Sequence, residues 1–137
     1  MRPLTLGDMM TTNVKTLRED DSLTSADWEM VVGEIRHLPV VDGDGRVVGM
    51  VSDRDVLRSA GLHRVSIGRI MSRDLRTGTP TTPALDAAVQ LLASKRGALP
   101  VVDATGRLLG IVTTTDFVEL ARRALAGLDI NEPHARA

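Results

Sequence analysis

Apolar runs and polar breaks follow one another along the chain in an order that occurs twice. The run Leu38–Val41 leads into a polar turn, Asp42–Arg46, then a second run, Val47–Val51, before Ser52-Asp53-Arg54-Asp55 opens a new pattern. Short apolar runs separated by Gly and Asp read as two strands of a hairpin, because those residues tolerate the backbone angles of a tight turn. The stretch His37–Asp55, HLPVVDGDGRVVGMVSDRD, returns as Ala98–Asp116, ALPVVDATGRLLGIVTTTD, at a constant offset of 61 residues. The register holds without a gap from Met10 and Met71, through Ala26 and Ala87, to Asp55 and Asp116. Two copies are too few for a solenoid. Two small units that bury their sheets against each other about a pseudo-two-fold axis are the economical solution, since neither half is large enough to fold alone.

Each copy opens with a short turn, Thr5–Met10 or Ser66–Met71, in which Thr5 and Ser66 are placed to cap the following N–H groups. A brief extended segment follows, Val14–Leu17 or Leu75–Thr77, and then a helix. In copy two, Thr82-Pro83 is a helix start, and Leu85, Ala88, Val89 and Leu92 recur at helical spacing as one apolar face. In copy one the helix is capped near Asp21 or Ser22 and carries Leu23, Ala26, Met30 and Val31. After the hairpin come the second helices, Asp53–Ala60 and Thr114–Ala126, the latter with Phe117, Leu120, Ala121 and Ala124 on its inner side. The expected fold is α+β in two layers, each copy contributing a short β-sheet and two helices. The expected boundaries are residues 1–61 and 62–127, with a mobile tail over 128–137 that has little to bury.

The composition of the 137 residues, 42% hydrophobic and 26% charged, is that of an ordinary globular chain. Trp28 and Phe117 are the only aromatics, so the core has to be aliphatic; Trp28 is expected there or at a subunit contact. The absence of cysteine removes disulfides, thiolate metal sites and a Cys nucleophile. A net charge of −1 offers no general attraction to nucleic acid or to an anionic membrane, and the scarcity of aromatics argues the same way for nucleic acid. No apolar run approaches the roughly 18 residues of a membrane helix, and MRPLTLGDMM lacks the core of a signal peptide. A cytoplasmic location is expected.

The sharpest chemical signals are Ser52-x-x-Asp55 and Thr113-x-x-Asp116. Either one reads first as a capping box, in which the hydroxyl caps the helix and the acid reaches back to the cap's N–H. Two features favour a ligand. Both boxes follow the carboxyl end of a strand, where open sheets bind ligands, and both use Asp, whose shorter arm is expected to close the box less well than Glu. A carboxylate at this point accepts the two hydrogen bonds of a ribose diol, and the helix start suits phosphate. Other candidates are weaker. Asp42-Gly43-Asp44-Gly45 lacks the later ligands of a calcium loop, His37, His63 and His134 have no metal-site spacing, and there is neither a nucleophile elbow nor a GxxxxGK[ST] loop. No metal and no catalytic cofactor are expected.

The hairpins LPVVDGDGRVVGMVS and LPVVDATGRLLGIVT, each followed by S/T-x-x-D, resemble the CBS domain, named after cystathionine β-synthase, and their pairing resembles a Bateman module. The resemblance runs from about Thr5 to Gly127. It implies two clefts that bind adenosine derivatives: AMP, ADP, ATP or S-adenosylmethionine. Carried over by position, one cleft would use Asp116 for the ribose with Thr113 and Thr115 beside it, and Thr5, Met9, Met10, Ile35, Arg36 and His37 from copy one. The other would use Asp55 with Ser52 and Arg54, and Ser66, Ile70, Met71, Arg96, Gly97 and Ala98 from copy two. Arg54, Arg36 and Arg96 would make the Asp55 cleft the more cationic and the better suited to additional phosphates.

The function implied is a regulatory module without catalytic activity. It would bind an adenosine nucleotide and signal by conformational change to a separate effector protein, as a homodimer of domain pairs with Trp28 near the contact. The alternative is a structural or assembly module with empty clefts, in which the S/T-x-x-D corners serve only as caps. An enzyme is not expected, because no nucleophile, base and orienting group can be assembled.

Overall fold

Among the described residues, ten short elements follow one another in the same order twice: α1 (Leu6–Met9), α2 (Leu23–Gly33), β1 (His37–Val41), β2 (Val47–Ser52), α3 (Asp53–Arg58), α4 (Ile67–Ile70), α5 (Ala84–Ser94), β3 (Ala98–Val102), β4 (Leu108–Thr113) and α6 (Thr114–Leu125). The structure, a computed structural model, describes residues 2–61, 64–94 and 96–128. Residues 129–137 of the expected mobile tail lie outside the described residues, as do His63 and His134. Among the described residues, no helix is long and apolar enough to cross a membrane.

The chain divides into two compact units whose limits differ from those of the sequence repeats. One comprises Met1–Asn13, Arg76–Ala104 and Leu109–Ala137, and the other Val14–Leu75 and Thr105–Leu108. The opening turns are therefore exchanged, that of copy one joining the hairpin of copy two and the reverse. Backbone hydrogen bonds explain the exchange. In the Asp116 unit, Thr11 pairs antiparallel with Ile111 of β4 in both directions (3.0 and 2.9 Å), and Gly78 brackets Pro100 and Val102 of β3 (2.9 and 2.8 Å). In the Asp55 unit, Ser72 pairs with Met50 of β2 (2.9 and 3.1 Å), and Leu17 brackets Pro39 and Val41 of β1 (2.9 Å each). Each two-stranded hairpin is thus bridged by a neighbouring segment at both of its edges. Its turn runs through Gly45 or Gly106, whose φ of +83° or +88° a side chain would resist.

Each unit has its own aliphatic core. Leu17, Ala26, Leu38, Val40, Val51 and Ile67 are buried in one, and Leu6, Met9, Ala87, Val101 and Val112 in the other; a fully buried Leu or Val contributes about 2 kcal/mol. Ala26 and Ala87 are fully buried at matched positions, where a small side chain lets the helix approach its sheet closely.

Three expectations about faces are corrected. The buried side of α5 is Ala84, Ala87 and Leu91, while Leu85, Val89 and Leu92 point outward at 73%, 57% and 81% exposure. On α6, Phe117 and Leu120 are partly buried, but Ala121 and Ala124 are exposed. On α2, Leu23, Ala26 and Met30 are buried as expected, whereas Val31 is exposed, and Trp28 is exposed rather than in the core. Each of these helices lays one narrow side on a small sheet, and apolar residues elsewhere on it stay outside.

Candidate functional site

In the Asp116 unit, β4 ends at Thr113 and α6 begins at Thr114, so Asp116 stands in the first helical turn. Its Oδ2 accepts the Thr113 N–H at 2.8 Å and the Thr113 hydroxyl at 3.2 Å, while the Asp116 N–H donates to Thr113 Oγ1 at 3.3 Å. Asp116 is 2% exposed, a buried carboxylate held by its own cap. In the Asp55 unit the corner is built alike. Asp55 Oδ2 accepts from the Ser52 N–H (2.8 Å) and hydroxyl (3.1 Å), and the Asp55 N–H donates to Ser52 Oγ (3.2 Å). The shorter arm of Asp therefore closes the box in both copies. One carboxylate oxygen suffices for both bonds from the cap residue. Among the described residues, the second oxygen of Asp55 makes no hydrogen bond.

The segments before the hairpins are regrouped by the structure. The Asp53 N–H donates to the Arg36 carbonyl at 2.9 Å, and the Thr114 N–H to the Gly97 carbonyl at 2.9 Å. The reason is antiparallel register: His37 pairs with Ser52, so the residue before β1 meets the residue after β2. Ile35, Arg36 and His37 thus adjoin the Asp55 corner, and Arg96, Gly97 and Ala98 the Asp116 corner. The two groups of three were expected the other way round. Within the Asp55 unit, His37 is half-buried and its pKa is pushed down by burial; Asp53 and Asp55 pull it up and Arg36 lowers it further.

Each opening turn lies in the same unit as the corner to which it was assigned. Met10 Sδ lies where a Cβ on Gly110 would stand 2.7 Å from it, and Met71 packs on the matched Gly49. Met9 is buried in the Asp116 unit, and Ile70 packs against the core of the other. Thr5 shows a feature the sequence reading missed. Its N–H and hydroxyl each donate to Asp8 Oδ2 at 2.9 Å, and Arg2 binds both oxygens of Asp8 at 2.6 and 2.7 Å. Arg2 and the Thr5 N–H hold the Asp8 carboxyl well below the usual carboxylate range. The signal was present, because Thr5-x-x-Asp8 has the same spacing as the two corners. Ser66, at the matched place, makes no side-chain cap, since Arg69 stands where Asp8 does.

A family model described as "CBS domain" matches residues 6–61 and 67–123. A CBS domain-containing protein of Dictyostelium discoideum is 32% identical over 133 residues, covering 85% of this chain and 90% of that one. A homoserine O-acetyltransferase of Methanococcoides burtonii is 36% identical over 115 residues, covering 84% of this chain but 24% of that protein, so the chain spans about a quarter of such relatives. Among solved structures, the CBS domain pair of protein MJ0100 in complex with 5′-methylthioadenosine and S-adenosyl-L-methionine superposes with a TM-score of 0.85 at 26% identity, covering 90% and 99% of the two chains. CBSX2 in complex with AMP gives 0.80 at 32% identity, covering 88% and 98%.

Proposed function

The chain belongs to the CBS domain family, and from that premise we propose that it is a regulatory module that binds an adenosine nucleotide or a related adenosine derivative at its two S/T-x-x-D corners and signals to a separate protein by conformational change. The observation that carries the reading is the doubled corner: a carboxylate one turn into a helix, at the end of a strand, with its cap bonds confined to Oδ2. Asp55 and Asp116 take the ribose diol, an arrangement that suits a group with acceptors only. Ser52, Arg54 and His37 adjoin the ribose and phosphates at one corner, Thr113, Thr115 and Thr5 at the other, and the methionines of the opening turns wall the adenine. The MJ0100 and CBSX2 complexes support this ligand class, since their ligands are all adenosine compounds.

The reading extends to a cytoplasmic homodimer without catalytic activity, its output passing to an effector chain. A ligand drives such an output only by binding two conformations unequally. A second reading, a structural module with no ligand, is favoured by one observation: both capping boxes are already closed. A thermal-shift series with AMP, ADP, ATP, S-adenosylmethionine, 5′-methylthioadenosine and GTP separates the two, because a ligand of the native state raises its stability. Upward shifts with adenosine compounds and none with GTP are expected. No shift with any of them leaves the structural reading.

A further inference from the structure

We propose that the Asp55 corner is coupled to a proton: the nucleoside part of an adenosine ligand bound there expels a proton from His37, so the site weakens as the pH falls. This rests on the reading of Asp55 as the group that takes the ribose diol, and it adds a regulator of that same site. The hairpin register pairs His37 with Ser52, and directly paired residues of two antiparallel strands carry their side chains on one face. Ser52 is also the residue whose N–H and hydroxyl both donate to Asp55 Oδ2. The imidazole and the carboxylate thus flank the same cap residue. In the other unit, at the offset of 61 residues, Ala98 stands where His37 does.

The surroundings of the ring support its proton only while the corner is open. Around β1, the strand β2 brings no titratable side chain, α3 brings Asp53, Arg54, Asp55 and Arg58, and α2 brings Asp27 and Glu29 with Glu34 at its end. Burial of the ring disfavours its proton most; Asp53 and Asp55 favour it, and Arg36, just before β1, disfavours it. The ring makes no ion pair among the described residues. An imidazolium there relies on water and on the two carboxylates acting through space. A nucleoside at the corner withdraws both supports. It displaces water that solvates the cation, and its diol donates to Asp55, whose second oxygen has no hydrogen bond among the described residues. A neutral ligand therefore binds better to the chain with His37 unprotonated, and protons compete with it.

Each unit has its own reporter, since Met71 lies on Gly49 in the Asp55 unit and Met10 on Gly110 in the other. Spectra of the full chain labelled with 13C-methyl methionine, titrated with adenosine at a series of pH values, test the coupling. Between about pH 7.5 and about pH 5.5 the half-saturation at Met71 is expected to rise several-fold, and by no more than about tenfold, the limit for one group whose ordinary value is about 6.5. Half-saturation at Met10 is expected to stay level, and His37→Ala to flatten the response at Met71. A second measurement needs no substitution: the imidazole resonances of His37 are expected to titrate at lower pH in the adenosine-saturated chain than in the free one. Level half-saturation at Met71, tighter binding in acid, an equal rise at Met10, or the same His37 titration with and without adenosine overturns the coupling and leaves the ribose reading standing. No response of Met71 at any pH overturns the adenosine reading of this corner, and the coupling with it.

Discussion

Thr113 and Asp116 bind each other in both directions, the Thr113 N–H 2.8 Å from Asp116 Oδ2 and the Asp116 N–H 3.3 Å from Thr113 Oγ1. The side chain that closes the cap is thus also the one proposed to take the ribose, and two substitutions pull the two roles apart. Thr113→Ala loses the cap and is expected to cost about 1 kcal/mol in urea denaturation. Asp116→Asn keeps an acceptor for the Thr113 N–H but gives up the charge and one acceptor for a ribose diol. It is expected to stay folded with a smaller loss than Asp116→Ala, and to lose the share of the adenosine-induced rise in melting temperature that the proposed site at this corner would supply. An unchanged ligand response in Asp116→Asn would remove the carboxylate from the proposed site.

The two glycines under the methionines differ in what surrounds them. A Cβ on Gly110 would stand 2.8 Å from the Thr11 carbonyl oxygen, a backbone atom fixed by its 2.9 Å bond from the Ile111 N–H. The close neighbours of a Cβ on Gly49 all belong to the flexible Met71 side chain. Gly110→Ala is therefore expected to cost about 1–3 kcal/mol, and Gly49→Ala less. Denaturation midpoints of the two variants, measured side by side, check the order.

His37 makes stability depend on pH near neutrality. Burial lowers its folded pKa below the unfolded value of about 6.5, so the unfolded chain binds the proton more readily. The stability this gives is complete above about pH 6.5 and is lost as the pH falls through the folded value. Asp8 and Asp42, whose pKa values are also lowered, act in the same direction but only below about pH 4. Urea midpoints are thus expected to drop between about pH 7.5 and pH 5.5 in the parent chain. In His37→Ala, which installs the residue found at position 98, the drop should largely vanish. An equal drop in both would assign the effect to another group.

The hairpins and corners were legible because their signals are local: Gly and Asp in the turns, and Ser or Thr three residues before Asp. The buried side of α5 was not. Its helix is apolar nearly all round, and the heavier residues Leu85, Val89 and Leu92 drew the reading away from Ala84, Ala87 and Leu91. The repeat held the answer, since Leu23, Ala26 and Met30, buried in α2, correspond to Ala84, Ala87 and Leu91. The pairings of Thr11 with Ile111 and of Gly78 with Val101 had no side-chain signature. They are made by backbone atoms alone, and any residue with a free N–H and carbonyl can make them. The regrouping of Arg36 and Gly97 follows from hairpin register, a consequence of the strands already read correctly.

The outward side of α5 bears on assembly. Leu85, Val89 and Leu92 recur at i, i+4 and i+7 and are 73%, 57% and 81% exposed, forming one continuous apolar stripe. Stripes of this kind mark association surfaces more often than scattered apolar residues do, which supports the proposed homodimer. Leu92→Glu places a charge in the stripe without touching either core or either corner. Because Leu92 is so exposed, the stability of the isolated monomer is expected to move by no more than about 0.5 kcal/mol. Light scattering after size exclusion should give a dimer for the parent chain and a monomer for the variant. A variant that still dimerises would move the interface away from α5, and a parent chain that is monomeric at high concentration would overturn the proposed homodimer.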